Sequence, residues 1–336
     1  MSRIAVIGAG AWGTALAIVL GRKGNHAVSL WAYEEEVCNS IADHRINDLF
    51  LPECEIPGVV KVTSSLSSAL QGAEIILSAV PSHHVRRIFH EMGPYLRLEA
   101  PVVSATKGIE NETLKRMTEV IEETVHQRYG FTPRIAALSG PSFAKEVARG
   151  DPTAVTVASI NTDLATTVQR EFSDPLFRVY TNEDVIGVEL GGSLKNVIAI
   201  SAGVVEGLGL GYNTAAALIT RGLAEITRLA VACGARKDTL AGLAGMGDLV
   251  LTCTGALSRN RSVGVALGKG RKLREIMEGM HGMVAEGVLT TNAALGLARK
   301  QAIEMPITEQ IHAILHEEQS PKEAIRDLMS RPGRVE

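Results

Sequence analysis

A doubly wound α/β sheet followed by an all-helical region is the fold class this sequence predicts, and three observations predict it. The chain opens on a short apolar run, Ile4 to Ile7, which leads into glycines at Gly8, Gly10 and Gly13 and then into an alanine-rich stretch. Strand-like apolar runs then recur up to about residue 187 with helical patterns between them. From Val188 onward the apolar residues recur only at helical spacing. The expected domains are therefore 1–187, built on a sheet, and 188–332, built of helices.

The first element is a strand of a parallel sheet, since Ile4, Val6 and Ile7 form a continuous apolar run. Gly8, Gly10 and Gly13 have G-x-G-x-x-G spacing, with a strand before and a helix after. Gly8 permits the tight turn, Gly10 lets a pyrophosphate approach the backbone, and Gly13 lets the helix lie close on the sheet. The helix N-terminus offers free N–H groups and partial positive charge to the phosphates. Further strands are expected at Ala27–Trp31, Val60–Val62, Glu74–Val80, Pro101–Ala105, Arg134–Leu138, Thr153–Ala158 and Phe177–Tyr180. Helices such as Leu114–Tyr129 and Asp163–Phe172 lie between them. After the boundary, helices are expected at Leu190–Glu206, Thr214–Cys233, Asp238–Ala241, Arg261–Lys269, Leu273–Met280, Val288–Lys300, Pro306–Leu315 and Pro321–Met329.

The chain has 336 residues, enough for two domains. A net charge of −3 gives nucleic-acid binding no support. Cys38, Cys54, Cys233 and Cys253 are scattered, with no C-x-x-C pair, which argues against a disulfide framework or structural zinc and suits a reducing cytoplasm. The first strand starts at once, so a secretory leader is not expected. Apolar stretches are broken short of a membrane span. The histidines from His26 to His90 form no metal-ligand pattern, and no metal is expected.

Ligands of open α/β sheets bind outside the carboxyl ends of the strands. Three polar loops fall there: Pro81-Ser82-His83-His84, Ser104-Ala105-Thr106-Lys107-Gly108 and Ser139-Gly140-Pro141-Ser142-Phe143. Lys107 is either a contact to phosphate or carbonyl oxygen or a solvated loop lysine. Gly140-Pro141-Ser142 either opens a helix toward a ligand or is an ordinary cap. Lys195, with Asn196 beside it, interrupts an apolar, glycine-flanked helix. Burial there would lower the pKa of its ammonium, making it a candidate general acid/base; the alternative is a lysine snorkelling at the helix edge. Four glycines around Asp248 suit a backbone shaped to present that carboxylate and Thr252. Ser258, Arg259, Asn260, Arg261 and Ser262 offer a cluster of donors suited to a phosphate, or else a helix cap with surface arginines. Met283-Val284-Ala285-Glu286-Gly287 sets one acid among small residues and gains no role from its chemistry.

Together, Gly8 to Gly13, Ala105 to Gly108, Ser139 to Ala144, Gly192 to Asn196, Gly245 to Asp248 and Ser258 to Asn260 resemble the bacterial-type NAD(P)-dependent sn-glycerol-3-phosphate dehydrogenase family. The resemblance covers nearly the whole chain. It implies a Rossmann-like domain joined to a helical domain similar to that of 6-phosphogluconate dehydrogenase. It also implies interconversion of dihydroxyacetone phosphate and sn-glycerol 3-phosphate, which supplies the glycerophospholipid backbone. Carried over by residue, it makes Lys195 the catalytic proton donor or acceptor and Lys107 a contact to both cofactor and substrate. Gly140, Ser142, Asp248, Ser258, Arg259 and Asn260 become substrate positions, and Asn196, beside Lys195, is expected to join them. Ala11, Trp12, Tyr33, Ala144, Arg259, Val284 and Glu286 become cofactor positions beside the three turn glycines.

One departure bears on the cofactor. The usual ribose-binding acid after the second strand is replaced by Ala32. A 2′-phosphate is not repelled there, so NADP or NAD is expected, with NADPH slightly favoured and Arg22 or Lys23 as the basic residues within reach. The expected partner is a small phosphorylated triose, and the expected state a homodimer. Two alternatives stay open: a 3-hydroxy acid dehydrogenase of related plan, and a non-catalytic dinucleotide-sensing module.

Overall fold

The computed structural model describes residues 2–280 and 284–333. The chain divides into two compact units, Met1–Lys107 with Lys115–Glu189, and Gly108–Leu114 with Leu190–Glu336. The short segment 108–114, which sequence alone leaves with the sheet, belongs to the helical unit. There Ser193 Oγ donates to the Gly108 carbonyl at 3.1 Å.

In the first unit ten strands form: β1 (Ser2–Ile7), β2 (His26–Trp31), β3 (Ile46–Asn47), β4 (Leu51–Glu55), β5 (Val60–Thr63), β6 (Ile75–Ser78), β7 (Val102–Ser104), β8 (Ile135–Ser139), β9 (Thr153–Ala158) and β10 (Phe177–Asn182). Eight of them make one sheet in the order β10-β9-β8-β7-β6-β1-β2-β5. All neighbours are parallel except β8 and β9, where Leu138 pairs antiparallel with Val157. Strand β1 sits centrally and is buried on both faces from Ile4 to Ile7. Ile4 and Val6 pack with the helix Ala11–Arg22 on one face. Ala5 and Ile7 pack with helices Val85–Met92 and Met117–Tyr129 on the other. Strands buried on both faces carry apolar runs rather than alternation, as here. The winding reverses at β1, whose neighbours are β6 and β2. That reversal is the topological switch point where such sheets bind ligands.

The ribbon β3–β4 was not expected, because a two-residue strand and a Pro-containing one give no apolar run. It has a positional job. Asn47, fully buried, donates from Nδ2 to the Ala9 carbonyl at 2.7 Å and to Thr14 Oγ1 at 2.9 Å. The glycine turn is thereby pinned from below.

The second unit is helical among its described residues. Helix Val185–Gly207 contributes its stretch from Leu190 onward. By length and composition it could cross a membrane, but 94% of its apolar window is buried within the protein, as in a core helix. Its C-terminal half meets helix Arg259–Gly268 backbone to backbone. A Cβ on Gly203 would lie 2.0 Å from the Arg261 carbonyl oxygen, and one on Gly264 would lie 1.9 Å from that of Ile200. Helices Tyr212–Ala232, Glu286–Lys300, Pro306–His316 and Pro321–Met329 complete the unit with shorter pieces.

Glu225 clamps two of these helices. Its carboxylate accepts from the Ile307 and Thr308 N–H groups at the start of Pro306–His316, at 2.7 and 3.4 Å. Burial pushes its pKa up to about 7, and the donated hydrogen bonds only partly oppose this. The folded pKa lies above the unfolded one, so the stability it links is complete below about pH 4.5 and is lost as pH rises through about 7. Glu225→Gln is expected to flatten that decline, which amounts to at most about 3 kcal/mol. Urea midpoints at pH 5 and 7.5 for both proteins check it; equal slopes would place the pH dependence elsewhere.

Candidate active site

The sheet unit presents its polar groups at the carboxyl edge. After β1, Gly8 takes φ +108°, a left-handed conformation that favours glycine. A Cβ on Gly13 would stand 1.8 Å from the Gly8 carbonyl oxygen, so turn and helix close on each other without side chains. At Gly10 a Cβ would meet nothing within 4 Å. The space above Gly10 is thus open to a pyrophosphate, which fits a dinucleotide. Gly10 caps helix Ala11–Arg22 with no side-chain bond, so the first-turn N–H groups have no side-chain cap. The Trp12 ring packs against the core beneath.

Lys107 follows β7. Its Nζ donates to the Gly140 carbonyl at 2.9 Å and to Ser142 Oγ at 3.4 Å, and Ser142 Oγ donates to the same carbonyl at 2.8 Å. The two loops that sequence marked separately are therefore one cluster. Gly140 takes φ +142°, and a Cβ there would press on Val155 Cα at 2.9 Å. Position 140 therefore needs glycine. The helix expected at Gly140 begins later, with Ala144 as its first residue.

At the end of β2, Ala32 is buried and Tyr33 is 62% exposed. Arg22 and Lys23 do not serve this position. Arg22 is bound to Asp174 at 2.6 Å, and Lys23 to the carbonyls of Arg170 and Glu171. They close the helix before β2, at the amino end of that strand, one strand length from Ala32. The guanidinium near Tyr33 belongs instead to Arg87, 5.3 Å from its ring centroid.

In the helical unit Lys195 is 6% exposed. Its Nζ donates to Asp248 Oδ1 at 2.6 Å and to Thr252 Oγ1 at 2.7 Å. The snorkelling alternative is excluded, since Asp248 is itself 1% exposed. The Asp248 carboxylate lies directly against the ammonium as its counter-charge. Asp248 does not stand in an irregular glycine loop. Leu243–Gly247 forms a π-turn that leads into helix Asp248–Thr254, and the i,i+4 spacing puts Asp248 and Thr252 on one face. The neighbouring Cys253 thiol is pushed by burial up to about 12, which leaves it inert.

Asn196 faces a second group. Asn260 Nδ2 donates to Asn196 Oδ1 at 3.0 Å, and the Gly287 N–H donates to Asn260 Oδ1 at 2.9 Å. Ser258 caps helix Arg259–Gly268 by accepting from the Arg261 N–H at 3.2 Å. Arg259 donates to the Val284 carbonyl at 3.3 Å. Desolvation lowers its pKa, and the Glu286 carboxylate opposes that shift. Arg259, Val284 and Glu286, which sequence marked far apart, are thus neighbours. Met283 lies outside the described residues. Asn47 and Arg87 escaped sequence reasoning, as neither stands in a motif.

A glycine turn on a Rossmann-like sheet, with a buried lysine–carboxylate pair in an appended helical unit, defines the class of nicotinamide-dinucleotide oxidoreductases. Comparison with known proteins is narrower. Residues 3–165 match the N-terminal domain, and residues 184–326 the C-terminal domain, of NAD-dependent glycerol-3-phosphate dehydrogenase. The chain is 70% identical to a glycerol-3-phosphate dehydrogenase (NAD(P)+) of Koribacter versatilis over 336 residues, 100% of this chain and 99% of that one. It is 56% identical to the enzyme of that name from Acidobacterium capsulatum, with both chains fully covered. The crystal structure of the Coxiella burnetii glycerol-3-phosphate dehydrogenase superposes with a TM-score of 0.93 at 42% identity, covering 98% of this chain and 99% of that one. The chain belongs to the NAD-dependent glycerol-3-phosphate dehydrogenase family. Neither the hydroxy-acid dehydrogenase nor the non-catalytic reading is favoured by these matches.

Proposed function

We propose that this protein interconverts dihydroxyacetone phosphate and sn-glycerol 3-phosphate with NAD(P)H, and so supplies the backbone of glycerophospholipids. The observation that carries the reading is the buried cluster of Lys195, Asp248 and Thr252 in a chain of this family. Bound nicotinamide supplies the hydride. Lys195 holds or releases the proton at the substrate C2 oxygen, while Asp248 and Thr252 fix its ammonium. Arg259, Asn260 and Asn196 bind the substrate, with the Arg259 fork on the phosphate. Lys107, steadied by the Gly140 carbonyl and Ser142, polarises the substrate oxygen and touches the cofactor. The glycine turn, Ala11, Trp12, Tyr33, Ala144, Val284 and Glu286 hold the dinucleotide. A turnover assay with dihydroxyacetone phosphate and each reduced cofactor tests the reading; no oxidation of either refutes it.

The buried Ala32 supports acceptance of NADPH at least as well as NADH. Ala32→Asp is expected to shift the ratio of kcat/KM toward NADH by about tenfold, because a carboxylate both binds ribose hydroxyls and repels a 2′-phosphate. An unchanged ratio would place ribose recognition elsewhere, with Glu34 the nearest carboxylate in sequence.

A further inference from the structure

We infer that Arg87 is the residue that recognises a cofactor 2′-phosphate, acting from a stacked pair with Tyr33; the inference rests on the dinucleotide reading above. Helix Val85–Met92 follows β6 and buries Val85, Ile88, Phe89 and Met92. Its two arginines therefore point outward and part ways. Arg86 turns to Glu123, 2.7 Å away on helix Met117–Tyr129. Arg87, near the start of the helix, lies over the Tyr33 ring with its guanidinium carbon 5.3 Å from the centroid.

The pair spans the switch point. Tyr33 follows β2 and Arg87 follows β6, and the strand between them is β1, which ends in the glycine turn. A dinucleotide whose pyrophosphate sits on that turn places its adenosine ribose near the end of β2. At that end the usual acid is Ala32. The groups there are a ring edge-on to Trp31, with centroids 6.1 Å apart, and the guanidinium above it. The ring fixes the position of the arginine fork, and the fork suits a phosphate. Arg87 Nη1 pairs with Glu91 Oε1 at 2.9 Å, but both side chains are over 40% exposed. An exposed i,i+4 pair of this kind contributes little, so a phosphate can displace it.

Calorimetric titration of the full chain with NADPH, NADH, 2′,5′-ADP and 5′-AMP tests the assignment. Arg87→Ala is expected to weaken NADPH and 2′,5′-ADP by about 10–100-fold, the range for a hydrogen bond to a charged group. NADH and 5′-AMP should change by less than about twofold. Glu91→Gln, which releases the guanidinium, should tighten NADPH and 2′,5′-ADP but not NADH or 5′-AMP, and added salt should erase the gain. Parallel losses for all four ligands in Arg87→Ala, or a gain in Glu91→Gln that extends equally to NADH and 5′-AMP, would overturn the role of Arg87 and leave the dinucleotide reading standing. Failure of the parent protein to bind any of the four would overturn both.

Discussion

Lys195→Ala is expected to lower turnover by ~10²–10⁴, the usual contribution of a positioned acid/base. Cofactor affinity should hardly move, because Lys195 is not among the residues assigned to hold the dinucleotide. The structure adds a complication that the variant must be designed around. Removing the ammonium takes a counter-charge from the Asp248 carboxylate, which is 1% exposed. Breaking a buried ion pair by removing one partner costs about 3–5 kcal/mol, enough to unfold a marginal protein and mimic a catalytic loss. The double variant Lys195→Ala/Asp248→Asn removes both charges and should recover much of the stability but none of the turnover. Thermal unfolding alongside steady-state kinetics separates the two effects. Near-normal turnover in either protein, folded and cofactor-bound, would end the case for Lys195 as the proton carrier.

Arg259→Ala should lose about 10–100-fold in kcat/KM for dihydroxyacetone phosphate, as expected for a charge-assisted pair. Arg259→Lys keeps the charge but not the planar fork and should recover only part of it. The geometry sharpens this. Desolvation pushes the Arg259 pKa down and Glu286 opposes it, while the side chain stays exposed, so its charged fork is open to an anion. Unphosphorylated dihydroxyacetone provides the control. Its weak turnover should depend much less on Arg259. Equal proportional losses for the two substrates would make Arg259 a cofactor or structural residue and shift the phosphate to other donors.

Much of this was legible in the chain because the relevant physics is local. The β1 turn follows from an apolar run meeting glycines, and β9 was placed to the residue at Thr153–Ala158. The chemical types at positions 195, 248, 259 and 260 could be read as well. Their pairing could not: Lys195 and Asp248 are 53 residues apart, and nothing in either segment names the other. The direction of β9 against β8 was hidden too, since a strand's residues do not encode which way its neighbour runs. The glycine run before Asp248 forms a π-turn although Gly is a poor helix former. The turn is locally tight, for a Cβ on Gly245 would lie 2.1 Å from the Leu240 carbonyl oxygen. Arg22 and Lys23 are near Ala32 in sequence but lie at the other end of β2, whereas Arg87, which stands by Tyr33, comes from a distant segment.

The meeting of helices Val185–Gly207 and Arg259–Gly268 has a consequence for anyone trying to make this protein hardier. Replacing a helical glycine with alanine ordinarily gains up to ~1 kcal/mol, because it removes backbone freedom from the unfolded chain. Helix Val185–Gly207 looks well supplied with such positions. At Gly203 and Gly207 the added methyl would fall within 2.0 and 2.4 Å of a facing carbonyl oxygen, and at Gly264 and Gly268 within 1.9 and 2.6 Å. The seam that sets Asn196 against Asn260 is thus closed to this route to thermostability. The route stays open at glycines such as Gly58 and Gly211, where a Cβ would meet nothing within 4 Å.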